Sequence, residues 1–361
     1  MGFRDLLSYE ETLFRDERVF DPDYIPKDFN FRDTQLREIA FCLKPALRGG
    51  KPINAKIYGP PATGKTTAVK LMFKEVEETT QKICCVHVNC QISSSKFAIF
   101  SQIHKKLLGH APPETGVPFS KVYEAIFKKL LKENKALVVA LDDMNYLFYD
   151  RYGNEIIYDI LRAHEVFPGV KTAIFGILSD VELNYKLDLR VASVYKPNEI
   201  FFPPYKYTEI EEILKDRAKL GLYPRVISDE LIEKIAEFAY EHGDLRLGIE
   251  LLKVSALIAE GEGSRKVLEK HVDKAFEKVK AFKVERILET LSNEERILIE
   301  LIPKNRGITT GELYELFKQK TSLSYTKFYR ILEKLESLRI IDTKFTGEGK
   351  KGRSRIVFLR I

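Results

Sequence analysis

Eight consecutive residues, Gly59, Pro60, Pro61, Ala62, Thr63, Gly64, Lys65 and Thr66, fit the pattern G-x-x-x-x-G-K-[ST] at every fixed position. The chemistry available to such a stretch is phosphate binding. Its glycines let backbone N–H groups turn inward around phosphate oxygens, and a helix opening at the lysine adds positive potential. Lys65 would reach the β- and γ-phosphates of a nucleotide, Thr66 would offer its hydroxyl to Mg2+, and Thr67 follows in the same first turn. A second candidate group lies 77 residues beyond Lys65, where the apolar run Ala136–Leu141 ends in Asp142 and Asp143. A carboxylate at the end of a buried strand suits a hydrated cation. Asp142 is therefore the expected Mg2+ partner, and Asp143 is placed to orient an attacking water. A glutamate at the second position would reach one methylene further toward that water. Aspartate is one methylene shorter, so slow hydrolysis is expected.

These groups need a scaffold that brings distant segments together. Short apolar runs at Ile53–Tyr58, Ile83–Val88, Ala136–Leu141, Thr172–Ile177 and Glu199–Phe202 alternate with helical patterns. That alternation predicts an α/β fold with a parallel sheet covered on both faces. The Phe201–Tyr205 segment, FFPPY, breaks the pattern and marks a domain edge. From 206 to 280 the pattern is all helical. Thr208, Ser228 and Asp244 are expected caps, Gly221, Gly243 and Gly261 are stops, and a fourth helix is expected from about Arg265 to Val279. The expected organisation is a nucleotide-binding core over 1–205, a helical lid over 206–280, and a third domain over 281–361.

Charge separates that third domain from the rest. Residues 281–361 hold 17 Lys+Arg against 11 Asp+Glu, while the other 280 residues hold 42 of each, so the whole net charge of +6 lies in the tail. Ser292–Glu295 and Thr309–Glu312 read as capping boxes, S/T-x-x-E, each opening a helix. A third helix is expected from Ser324 to Leu338, then two strands, Ile340–Phe345 and Arg355–Leu359, around the turn TGEGKKGRS. Three helices and a hairpin make a winged-helix pattern, whose third helix enters a DNA groove. Phe328, Ile331, Leu332, Leu335 and Leu338 share the core face, which leaves Thr326, Lys327 and Arg330 for bases and phosphates. Lys350, Lys351, Arg353 and Arg355 surround the wing glycines as further phosphate contacts.

Other features point away from chemistry. Cys42, Cys84, Cys85 and Cys90 have no zinc spacing and read as small buried residues. His87, among apolar neighbours, reads as a satisfied core histidine rather than a ligand. No apolar run approaches the roughly 20 residues that span a bilayer, and the N-terminus MGFRDLLSYEE lacks a secretory pattern. A cytoplasmic, nucleoid-associated protein with no membrane partner is therefore expected.

The segments FRDERVFDPDYIP, RGGKPINAKIYGPPATGKTT, LDDMNYL, LRVASVY, IFFPPY and GDLRLGIELL occur in order along the chain. With the winged-helix pattern they resemble the archaeal origin-recognition and helicase-loader family of AAA+ ATPases, the homologues of cell division control protein six. The resemblance implies an initiator that binds ATP or ADP with Mg2+, recognises double-stranded origin DNA, associates with other initiator subunits and helps load the replicative helicase. It implies that Ser179 is the first nucleotide sensor, where the family usually has Asn. It implies that Arg246 is the second sensor, reaching from the lid, and that Arg190 is an arginine finger acting between subunits. It implies that Tyr24, Ile25 and Pro26 lie against adenine. It also implies a DNA-gripping insertion, for which residues 91–118 with Lys96, His104, Lys105 and Lys106 are candidates beside the plainer reading of a solvated helix face. Two other readings stay open at this point. One is a P-loop ATPase whose winged helix serves transcription or signalling. The other is a DNA-binding paralogue that holds nucleotide without hydrolysing it.

Overall fold

The computed structural model describes residues 12–113, 115–149, 153–179, 187–303, 306–337, 340–345 and 355–359. Of the candidate DNA contacts, Lys350, Lys351 and Arg353 lie outside the described residues. By its contacts the chain divides into two compact units, Met1–Val272 and Asp273–Ile361.

The first unit is built on five parallel strands, β1 (Ala55–Tyr58), β2 (Ile83–Asn89), β3 (Ala136–Asp142), β4 (Thr172–Leu178) and β5 (Asn198–Phe201), in the spatial order β2-β3-β4-β1-β5. All seven residues of β3 and of β4 are buried, as strands covered on both faces require. Helices α1 (Asp33–Leu47) and α2 (Lys65–Thr79) cover one face, with Ile39, Leu43, Val69 and Phe73 packed on Ile57, Val138 and Phe175. Helices α3 (Lys96–Leu108), α4 (Phe119–Glu133) and α5 (Gly153–Leu161) cover the other, with Phe100, Phe127 and Ile160 on Val139 and Ile174. A short helix α6 (Leu189–Val194) follows β4. The strand bounds agree with the sequence reading to within two residues. The cysteines divide between the two cores, and all four are free and buried. Burial pushes the thiols of Cys42 and Cys84 up to about 11, so they behave as packing residues.

Helices α7 (Tyr207–Gly221), α8 (Asp229–Glu241) and α9 (Leu245–Gly261) pack together beyond β5. Ser228 and Asp244 occupy the expected cap positions. At α7 the cap differs. The first turn opens at Lys206, whose backbone N–H donates to the Glu209 carboxylate at 2.9 Å, so Thr208 sits inside the helix. The N-terminal segment is built into these helices. Arg15 N–H donates to the Gly221 carbonyl at 2.8 Å, and Lys253 pairs with Glu17 and Asp21, each at 3.0 Å.

The fourth helix expected in this region is longer than the sequence reading. It is α10, continuous from Glu269 to Thr290. No glycine or proline occurs from 264 to 302, so nothing stops it at 279. The second unit then holds α11 (Asn293–Leu301), α12 (Thr310–Lys320) and α13 (Tyr325–Ser337). Both capping boxes form: Glu295 N–H donates to Ser292 Oγ, Glu312 N–H to Thr309 Oγ1, and each glutamate accepts from its cap residue's N–H. The antiparallel hairpin β7 (Ile341–Phe345) and β8 (Arg355–Leu359) is joined by the two-residue β6 (Ile308–Thr309), giving the order β6-β8-β7. Leu298, Phe317, Phe328, Leu332, Leu335 and Val357 form its core.

Among the described residues, no helix is long and apolar enough to cross a membrane.

Candidate nucleotide site

Strand β1 ends at Tyr58, and the chain turns sharply into α2. Gly59 takes φ 147°, Ala62 φ 59° and Gly64 φ 88°, three left-handed positions within six residues. A Cβ on Gly59 would stand 2.2 Å from the Phe202 carbonyl oxygen, and one on Gly64 would stand 2.8 Å from both the Phe29 ring and Tyr205 Oη. Only glycine fits either place. The lysine that opens α2 is held in the concavity. Lys65 Nζ donates to the carbonyls of Gly59 at 2.9 Å and Pro60 at 2.7 Å, with only 5 % of the residue exposed. Burial lowers its amine to about 8, the nearby Arg246 charge adds to this, and Asp142 and Asp143 oppose it.

Asp142 ends β3, on the sheet face that α2 covers. Thr66 Oγ1 donates to its Oδ2 at 2.9 Å and lies 3.2 Å from its Oδ1. Asp143 follows with φ 52°, and its N–H donates back to Asp142 Oδ1 at 3.2 Å. Burial raises the Asp143 carboxyl, as does the Asp142 charge, while a hydrogen bond from Ser179 opposes the rise. That bond, Ser179 Oγ to Asp143 Oδ1 at 3.1 Å, links the end of β4 to the end of β3. Lys65, Thr66, Asp142, Asp143 and Ser179 are thus brought together at the carboxyl ends of β1, β3 and β4, where open α/β sheets bind ligands.

Arg246 stands in the first turn of α9, with an exposed side chain and its Nε 3.5 Å from Asp244 Oδ1. It is close enough for its charge to act on Lys65 and Asp143. Tyr24 lies under the Arg217 guanidinium at 4.5 Å, and Ile25 and Pro26 are half-buried beside it. Arg190 is not brought to the cluster. It is exposed at the start of α6, paired with Asp188 at 3.2 Å and 5.8 Å above the Tyr158 ring.

The sequence reading missed two groups here, one buried and one half-buried. Arg32 is 2 % exposed and, among the described residues, has no carboxylate partner for its hydrogen bonds. Its guanidinium donates to the carbonyls of Thr63 at 3.0 Å and Pro203 at 2.8 Å, and stacks 3.7 Å above Tyr205. It therefore ties the phosphate loop to the FFPPY segment. The second is His87, read as a core residue. It is half-buried, and its Nε2 lies 2.9 Å from Asp142 Oδ2. That Ile83–Val88 is a buried strand was visible in the sequence, but that β2 lies beside β3 was not.

The candidate insertion contributes less free charge than its lysines suggest. Lys96 bonds Asp159 at 2.5 Å, Lys106 pairs with Glu77 at 2.7 Å, and His104 is buried against the His110 carbonyl. In the second unit, Thr326, Lys327 and Arg330 are exposed on α13, opposite the buried Phe328, Leu332 and Leu335. Tyr329 turns inward, its ring 4.9 Å from that of Tyr325. Arg355 is half-buried, with Nη1 3.9 Å from the Glu336 carboxylate.

Comparison with known proteins places this arrangement. Residues 211–277 match the family described as the Cdc6 AAA+ ATPase-type lid domain. The chain is 49 % identical over 358 residues to ORC1-type DNA replication protein 2 of Methanothermobacter thermautotrophicus, covering 99 % of this chain and 94 % of that protein. The Aeropyrum pernix ORC1 protein, solved in complex with DNA, superposes with a TM-score of 0.76 at 28 % identity, covering 97 % of this chain and 94 % of that one. The ORC2 protein of the same organism, solved as ADPNP-ADP complexes, gives 0.75 at 26 % identity, with coverage of 96 % and 94 %.

Proposed function

The chain belongs to the family of ORC1-type DNA replication proteins, and from that membership we propose that it is a replication initiator. It binds ATP or ADP in the first unit and double-stranded origin DNA through the second. The observation that carries the reading is the convergence of Lys65, Thr66, Asp142, Asp143 and Ser179 at adjacent strand ends.

The residues fit a magnesium nucleotide. A threonine hydroxyl and a carboxylate, 2.9 Å apart beside a buried lysine, are the hard oxygen donors that Mg2+ accepts. When bound, the cation would neutralise charge on the β- and γ-phosphates. The chain's own groups do the rest. Phosphate-loop N–H groups and Lys65 hold the phosphates, Phe29 and Tyr205 stand beside the loop, and the Tyr24–Pro26 segment is assigned to the adenine base. Asp143 orients the water, held at its own oxygen by Ser179. Arg246 reports the γ-phosphate to the lid, so lid position follows nucleotide state through differential affinity. Arg190, exposed and away from the cluster, is free to serve a neighbouring subunit's nucleotide. In the second unit we assign Thr326, Lys327 and Arg330 to the DNA groove, with Lys350, Lys351 and Arg353 as phosphate contacts. Other initiator subunits and the replicative helicase are the proposed protein partners, in a soluble, nucleoid-associated setting.

Footprinting of the purified protein on DNA from its own genome, with and without ATP, tests this reading. A protected, repeated site beside a replication start is the expected outcome. Protection confined to ordinary promoters would favour a transcriptional regulator instead. A second reading, nucleotide held without hydrolysis, is favoured by the Ser179 hydroxyl occupying an oxygen of the short Asp143 carboxylate.

A further inference from the structure

We propose that His87 is a positioning residue of the cation site, holding the Asp142 carboxylate in place and so setting how tightly the site takes Mg2+. This rests on the nucleotide reading above and adds a residue that it does not use.

The argument begins with the sheet. β2 and β3 run parallel, with His87 opposite Ala140 and Asn89 opposite Asp142. Side chains alternate along a strand, so His87, Ala140 and Asp142 share one face, and His87 is the diagonal neighbour of Asp142. Cys85, Val138 and Ala140 pack against α2 on that face, so His87 and Asp142 meet Thr66 where α2 begins. An ionised carboxylate only accepts. The imidazole proton facing it therefore sits on Nε2, and Nε2–H donates to Oδ2 at 2.9 Å. Asp142 then has three donors: Thr66 O–H and His87 Nε2–H on Oδ2, and the Asp143 N–H on Oδ1. Two of them come from the nucleotide-binding segments themselves. The third, from a different strand, fixes the carboxylate whether or not the phosphate loop is occupied. Partners that orient a metal-ligating carboxylate typically change metal affinity about 10–100-fold when removed.

The test uses the full chain as wild type, His87→Leu and His87→Gln. Leucine keeps apolar volume and removes the donor. Glutamine places an amide N–H at a reach similar to Nε2. Binding of a fluorescent ADP analogue is followed in EDTA and in a Mg2+ titration. In His87→Leu we expect the half-saturating Mg2+ concentration to rise about tenfold, while His87→Gln stays within threefold of wild type. Affinity in EDTA should be the same for all three, which also reports that each variant is folded. An unchanged Mg2+ half-point in His87→Leu overturns the inference. So does an equal loss in EDTA, which makes His87 a general support of the fold, and so does His87→Gln behaving like His87→Leu. A wild type that binds no nucleotide under either condition fails the nucleotide reading itself and is distinguishable from all of these.

Discussion

Lys65 is a cation kept in a nearly closed place before any phosphate arrives, and its titration follows. Burial lowers its amine to about 8 from an ordinary 10.5. Below about pH 8 the group is charged in both folded and unfolded chains, and folding bears the full cost of burying it. Between there and 10.5 the unfolded chain still holds the proton and the folded one does not, so stability rises with pH. A shift of this size corresponds to about 3 kcal/mol. Lys65→Met removes the group, so the melting-temperature difference between wild type and variant should be flat below pH 8 and move in the wild type's favour toward pH 10. Scanning fluorimetry across that range measures it, and a pH-independent difference would mean the amine is not desolvated. Asp143 gives a second expectation at this scale. Its carboxyl is raised by burial and steadied by Ser179. Asp143→Asn should lower single-turnover hydrolysis about a hundredfold, the size of a lost general-base contribution, and leave nucleotide affinity nearly unchanged. Wild-type turnover no higher than a Lys65→Ala blank would establish the non-hydrolysing reading instead.

Elements are held in register by a few groups that touch two of them at once. Arg32 spans the phosphate loop and the segment after β5 through two carbonyls, which a single ammonium cannot bridge in the same way. Arg32→Lys should orphan at least one buried carbonyl, costing about 1–3 kcal/mol, or roughly 2–4 °C of melting temperature per kcal/mol in a domain of this size. Nucleotide affinity should fall with it, since Thr63 is in the loop. Gly307 plays the matching part in the second unit, where a Cβ would stand 2.2 Å from Ile356 Cγ2 and 2.6 Å from the Phe358 ring. Gly307→Ala should loosen β6 from β8, abolish DNA retention in a gel-shift assay, and leave nucleotide binding in the first unit intact. How legible these elements were in the sequence depended on how local their causes are. Strand ends and capping boxes follow from adjacent residues, and the sequence reading of each agrees with the structure, while Gly59–Thr66 and Asp142 stand at the strand ends where the sequence put them. His87 and Arg32 did not show themselves, because their partners are set by strand order. β2 lies beside β3, and β5 lies beside β1, and no spacing in the chain states either fact. The two-residue β6 was too short to give a pattern, and α10 outruns the expected end near Val279 because no breaking residue stands there.

At the scale of the whole molecule, the decisive quantity is where charge is absent. Residues 1–280 balance 42 cations with 42 anions, so any long-range attraction to a polyanion comes from the remaining 81 residues. The first unit, residues 1–272, holds 39 cations and 40 anions, so its net charge gives it no long-range pull toward DNA. Under the proposed reading, contact between that unit and DNA comes from specific groups rather than from net charge. Counterion release makes this measurable. Each phosphate neutralised adds about −0.9 to the slope of log affinity against log salt concentration. Replacing Lys350, Lys351 and Arg353 by alanine should therefore flatten the slope by up to about 2.7 and weaken binding to all sequences alike. Replacing Thr326 by alanine should leave the slope unchanged and act only on the preferred site. Lys105, an exposed lysine of α3, supplies the contrast. Its replacement should alter the slope by no more than about 0.9, and only if the first unit reaches the duplex. If the triple replacement leaves the slope as it was, the excess charge of the tail serves something other than phosphate. The assignment of the hairpin turn would then fall, while the nucleotide site in the first unit would stand.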